Sequence, residues 1–150
     1  MMSTDPDAER KAWMSLLAKC RAPDLKRLWS AYGATPGHSI LRAPEVGSVM
    51  VRGRSGAVGS AFNLGEMTIT RCSVKLETGE DGHAYVQGRD PDKALHCALV
   101  DALMQSTASA SVRAIILDPL QELAQARQQA RASKAAATKV DFFTMVRGED

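Results

Sequence analysis

Large apolar side chains are scarce in this 150-residue chain. Leu, Ile, Val and Phe together number 30, or 20% of the sequence, and aromatic residues make up 5%. Alanine supplies 23 of the residues counted as hydrophobic. A chain of this composition builds a modest core, one that leans on a partner. Neither sign of charge dominates, since 19 basic residues face 17 acidic ones and leave +2. That balance argues against disorder, a nucleic-acid wrapper and a membrane-surface binder. Long apolar runs are missing as well. The longest aliphatic run, Ala114 to Leu117, is far short of the roughly 20 residues of a membrane span. Met1 to Lys11 is polar and mixed in charge, without the apolar stretch of a secretory signal. The three cysteines, Cys20, Cys72 and Cys97, form no CxxC pair and no metal-ligand spacing. They read as small buried apolar residues. The expectation is one cytoplasmic domain with no metal.

What is present falls into three parts. Asp5-Pro6 suits a helix start, and Trp13, Leu16, Leu17 and Cys20 recur on one helical face. Pro23 starts a second helix with a stripe of Leu25, Leu28, Trp29 and Tyr32, closed by Gly33. The middle of the chain is β-like. His38 to Arg42 and Val46 to Arg54 read as short strands split by Ala43-Pro44, and Gly53 to Gly65 reads as a glycine-rich loop. Met67 to Glu77 is the clearest strand, with Cys72, Val74 and Leu76 on one face. A turn at Thr78 to Gly82 leads to a partner strand, His83 to Arg89, and short turns imply antiparallel pairing.

Asp90-Pro91 caps a third helix, whose apolar girth (Leu95, Leu99, Leu103, widened by Cys97, Val100 and Met104) predicts deep burial. Val112 to Leu117 is ambiguous between strand and helix. Asp118-Pro119 with Gln121 has the form of a capping box, opening a helix to about Ala137. Beyond Leu123 its apolar residues are all alanine, so it either stands solvated or packs closely on another chain. Val140, Phe142, Phe143, Met145, Val146 and Arg147 then form an unusual tail, which folds back on the sheet or docks on a neighbour. The predicted fold is α+β: a central antiparallel sheet flanked by N-terminal helices, a buried helix after the sheet, and a long C-terminal helix with an extended tail. Residues 1–139 make the domain, and 140–150 the partner-binding tail.

Candidates for chemistry are few. No Ser lies in a GxSxG elbow, and His38, His83 and His96 have no metal-type spacing. Arg52 to Ser60 joins basic residues to glycines, as phosphate loops do, but it has neither a Walker nor a GxGxxG pattern. Arg52, Arg54, Arg71 and Arg89 are the phosphate-binding candidates. Arg71 interrupts a strand, and Arg89 precedes a helix start that favours anions. The plainer reading pairs Arg71 or Arg89 with Glu66 or Asp90. Glu66 is also the candidate acid/base, although it has no companion carboxylate.

Several segments together resemble the PhnG family, the small G subunits of the bacterial carbon–phosphorus lyase core complex. They are Trp13 to Leu17, Arg42 to Arg54, Asn63 to Val74, Gly88 to Asp90 with Cys97 to Gln105, and Val140 to Asp150. The resemblance runs in order along almost the whole chain. It implies an accessory subunit in phosphonate catabolism, within a complex that joins methylphosphonate to C1 of the ATP ribose and displaces adenine. It implies partners of the I, H and J types, a second copy of the chain within the complex, and MgATP as the complex's substrate with no cofactor on this chain. No residue carries over as catalytic, the nucleoside chemistry being credited to the I subunit. The competing reading is a small phosphonate- or nucleotide-binding domain built on the arginines.

Overall fold

Asp5 and Pro6 open α1 (Pro6–Lys19) as their chemistry requires. The Asp5 carboxylate accepts from the Asp7 N–H at 3.1 Å, and Pro6 takes a first-turn position that needs no donor. The computed structural model describes residues 5–54 and 61–147, with side chains for all of these except 54, 61–64 and 140–147. Helix α2 (Ala22–Tyr32) ends at Gly33, whose φ of 76° lets its N–H return to the Trp29 carbonyl. Trp13, Leu17, Cys20, Leu25 and Leu28 turn inward from these two helices, and Trp29 and Tyr32 pack at the margin.

Three strands follow in the order β1-β2-β3, all antiparallel: β1 (His38–Arg54), β2 (Ala61–Leu76) and β3 (Asp81–Gln87). Here the structure departs from expectation. The two short strands are one 17-residue strand, and Ala43-Pro44 is a bulge rather than a break. Arg42 pairs with Ser73 and Glu45 with Arg71, so two β1 residues oppose one on β2. A proline lacking its N–H is tolerated there because β1 is an edge strand. The predicted loop also contracts, since β1 continues to Arg54 and β2 starts at Ala61; residues 55–60 lie outside those described.

Cys72, Val74 and Leu76 with Ala84 and Val86 form the inner face of the sheet, as the alternation predicts. Helix α3 (Pro91–Met104) covers it. Gly82 makes that approach possible, because a Cβ there would fall on the Ala98 carbonyl oxygen and the Ala102 backbone. Asp90 caps α3 by accepting from the Lys93 N–H at 3.0 Å.

The chain after α3 is helical almost throughout. A short α4 (Ser109–Val112) runs into a π-helical turn, Arg113–Leu117, and then α5 (Asp118–Arg147). Asp118 is therefore not a cap. Its φ and ψ are −62° and −47°, and its N–H reaches back five residues to the Arg113 carbonyl. The widened turn has a cause: Pro119 has no N–H, and its ring crowds the carbonyl four residues back, a conflict that local π-geometry relieves.

The second correction concerns the tail. Helix α5 passes Ala137 without a break and reaches Arg147, so the segment expected to be extended has a helical path. A 30-residue helix spans about 45 Å. Leu120 anchors it in the core and Arg127 ties it to Asp24 at 3.5 Å, while 128–139 are exposed. The side chains of Val140, Phe142, Phe143, Met145, Val146 and Arg147 lie outside those described.

Candidate functional site

The sequence-predicted arginines do not converge. Arg52 is exposed on β1 opposite Asn63, and Arg71 stands on β2 opposite Glu45. Seven residues of strand separate Arg52 from Glu45, about 23 Å at 3.3 Å per residue. Arg54 closes β1, and its side chain is outside those described. Arg89 is exposed in the bend between β3 and α3. Glu66 is exposed opposite Met50 and makes no ion pair with Arg71 or Arg89 among the described residues. Arg71 pairs instead with Glu45, at 3.4 Å, and Asp90 serves as a helix cap.

Two polar centres went unnoticed in the sequence. The first is Asp101, which is fully buried on α3. Its Oδ1 accepts from Arg10 Nε at 3.2 Å and Trp13 Nε1 at 2.8 Å. Its Oδ2 accepts from Arg10 Nη2 at 2.9 Å and the His83 main-chain N–H at 2.9 Å. One carboxylate thus joins α1, β3 and α3 with four donors, as a buried charge requires. The same hydrogen bonds hold the Arg10 guanidinium above its ordinary range. Lys93 is its counterpart: its Nζ donates to the carbonyls of Ala18 and Cys20, satisfying the end of α1.

The second centre lies on the outer sheet face, opposite the one that α3 covers. Ser73 Oγ and His83 Nδ1 stand 2.9 Å apart on neighbouring strands. Arg42 is opposite Ser73 on β1, so Arg42, Ser73 and His83 form one cross-strand row. Glu45, Arg71 and Tyr85 form the next, two residues along. Tyr85 is 59% exposed. Beside β3, Arg10, Lys11, Met14, His83 and Tyr85 border an open groove of about 690 Å³, whose far wall carries Asp5 and Asp7.

A further hollow of about 420 Å³ lies between the starts of α2 and α3, lined by Lys26, Asp90, Asp92, Lys93 and His96. His96 stacks on Trp29 with centroids 5.1 Å apart, and burial pushes its pKa below the ordinary 6.5. All three cysteines are buried, and burial pushes every thiol up, which leaves them poor nucleophiles. Among the described residues, no three His, Cys, Asp or Glu side chains converge to hold a metal ion.

The remaining surfaces are suited to contact. Beyond Thr68 the partnership of β2 with β3 ends, and Ser48–Arg54 with Ala61–Thr68 forms a two-stranded arm. Val49 and Met50 are exposed on it, with Val46 at its base. An isolated two-stranded ribbon is marginal in water, and β1 is also an open sheet edge.

Comparison with known proteins gives these surfaces a context. The sequence model of the family described as phosphonate metabolism protein PhnG matches residues 8–148. The alpha-D-ribose 1-methylphosphonate 5-triphosphate synthase subunit PhnG of Rhizobium meliloti (strain 1021) is 46% identical over 144 residues, covering 95% of this chain and 92% of the relative. With matches that run the length of both sequences, the chain belongs to the PhnG family.

Proposed function

We propose that the chain is the G-type subunit of a ribose 1-methylphosphonate 5-triphosphate synthase and acts there as an accessory, non-catalytic component of phosphonate catabolism. In that reaction a phosphonate oxygen of methylphosphonate bonds to C1 of the ATP ribose. The C1–N bond breaks, and adenine leaves with a proton. The observation that carries the reading is the 46% identity to a synthase subunit over 95% of the chain. The geometry is in keeping with it. Arg52, Arg54 and Arg71 are strung along the sheet with Arg89 in the bend after it, the thiols are buried, and Glu66 makes no ion pair among the described residues. None of these supplies a general acid/base pair or an activated nucleophile.

What the chain does offer is surface. The β1–β2 arm and the exposed 128–139 stretch of α5 are long, and the arm carries Val49 and Met50 exposed. A standard interface buries roughly 800 Å² per partner, and surfaces of this length can supply it. The proposed partners are subunits of the I, H and J types, with a second copy of this chain in the assembly. MgATP is the substrate of the whole, which places the work in the cytoplasm where ATP is made. Among the described residues, no helix is long and apolar enough to cross a membrane.

Reconstitution tests the reading. The assembled synthase should release adenine from ATP in the presence of methylphosphonate, and the assembly lacking this chain should not. The chain alone should release none. Full activity without it, or adenine release by the isolated chain, would contradict the proposal.

A further inference from the structure

We infer that the outer face of the sheet carries an oxyanion site built from Ser73, His83, Arg71 and Arg42, suited to a tetrahedral phosphate group. The inference goes beyond the subunit reading and does not depend on it. Three observations converge. The first is the Ser73–His83 pair, whose 2.9 Å separation places a hydroxyl and an imidazole side by side, both partly exposed, on the face opposite α3. The strand beneath the imidazole is fixed, because the His83 main-chain N–H is held by the buried Asp101 carboxylate.

The second is the Arg71 head. Its contact with Glu45 is long, at 3.4 Å, and its Nε is enclosed with no hydrogen-bond partner among the described residues. A guanidinium with five donors and one loose acceptor has unused capacity. The head now lies toward Glu45 and Gly47, and turning it to the Ser73 row would trade a weak, exposed ion pair for forked bonds to an anion.

The third is the register. Arg42 faces Ser73 directly, and Arg71 is two residues away on the same face, roughly 6.6 Å along the strand. An oxyanion centred above Ser73 therefore lies between two arginines.

The pair also has suitable donor chemistry. When His83 carries its proton on Nδ1, that N–H donates to Ser73 Oγ, and the hydroxyl hydrogen is free to turn to the anion. Of the four arginines singled out in the sequence, this site uses Arg71 alone. Arg52 and Arg89 lie outside it.

A free anion and the phosphate of an ester share this chemistry, so two probes separate them: inorganic phosphate and ribose 5-phosphate. Each is titrated at constant ionic strength into the full chain while the His83 ring and Ser73 resonances are followed by NMR. Saturable shifts at both residues are expected at millimolar probe, and the tighter probe names the source. Ser73→Ala and Arg71→Ala should each weaken binding about tenfold, as loss of a charge-assisted donor does. Arg52→Ala on the distant arm should leave the affinity within about twofold. Both site residues are partly exposed, and retained far-ultraviolet circular dichroism checks that the variants fold. Unsaturable shifts with both probes, or equal weakening by Arg52→Ala and Arg71→Ala, would overturn the inference.

Discussion

Replacing Asp101 with asparagine should be the most damaging conservative change in the described structure. Asn keeps the volume and one carbonyl oxygen. With that oxygen in the Oδ1 position, the bonds from Trp13 Nε1 and Arg10 Nε survive. The amide NH₂ then faces Arg10 Nη2 and the His83 main-chain N–H, donor against donor. A buried backbone N–H left unpaired costs about 1–3 kcal/mol. Removing one member of a buried ion pair costs about 3–5 kcal/mol. The Arg10 side chain is 34% exposed and can turn to water, so its share is discounted and the lower end applies, about 3 kcal/mol. For a chain of this size that corresponds to a Tm lower by roughly 10 °C. Urea unfolding followed by circular dichroism should give a lower midpoint with an unchanged slope. Arg10→Ala instead leaves the fully buried Asp101 carboxylate without its counter-charge and with only the Trp13 and His83 donors, so its loss should be at least as large, about 3 kcal/mol or more. Either variant unfolding within about 0.5 kcal/mol of wild type would refute the placement of this carboxylate.

Other consequences follow from burial. In the native chain at mildly alkaline pH, Cys20, Cys72 and Cys97 should resist a disulfide reagent, and all three should react in urea; one fast native thiol would contradict their placement. Because burial raises these pKa values, the unfolded thiols ionise first, and stability should decline as pH rises past their ordinary value of 9.0. For His96 the shift is downward, so the unfolded chain takes up the proton before the folded one. Its contribution is complete above about pH 6.5 and is lost as pH falls toward the depressed folded-state value. His96→Phe keeps a ring on Trp29 and should flatten the fall in urea midpoint between about pH 7 and pH 5. Identical slopes in wild type and variant would refute the assignment.

Much of the architecture is written locally. Asp5-Pro6, Asp90-Pro91 and Gly33 act through their own backbone, and each marks a real helix boundary. Stripes such as Leu25, Leu28, Trp29 and Tyr32 depend only on helical period. The same local logic misreads Ala43-Pro44 and Asp118-Pro119, because both are decided by neighbours. An edge strand absorbs the first as a bulge, and a π-turn carries the helix through the second. The end of the chain misled for another reason: Val140 to Val146 is apolar, but apolarity alone does not set backbone path, and strong helix formers precede it.

The site was less legible. Ser73 and His83 meet through strand register, which a turn of uncertain length leaves open. Asp101 did leave a trace, as the only carboxylate between Leu95 and Met104 on a helix apolar over most of its girth. A charge in such a position needs a partner. Its partners, Arg10 and Trp13, lie 91 and 88 positions away in sequence, so no local pattern could name them.

On the proposed function, this chain's long exposed elements are covered in an assembly. Hydrogen–deuterium exchange measures that coverage directly, comparing the chain alone with the chain in the co-purified synthase. Strong added protection is predicted in the β1–β2 arm and along α5 beyond Arg127, with little change in α3, which is already buried. Indistinguishable exchange of both elements in the two states would contradict it.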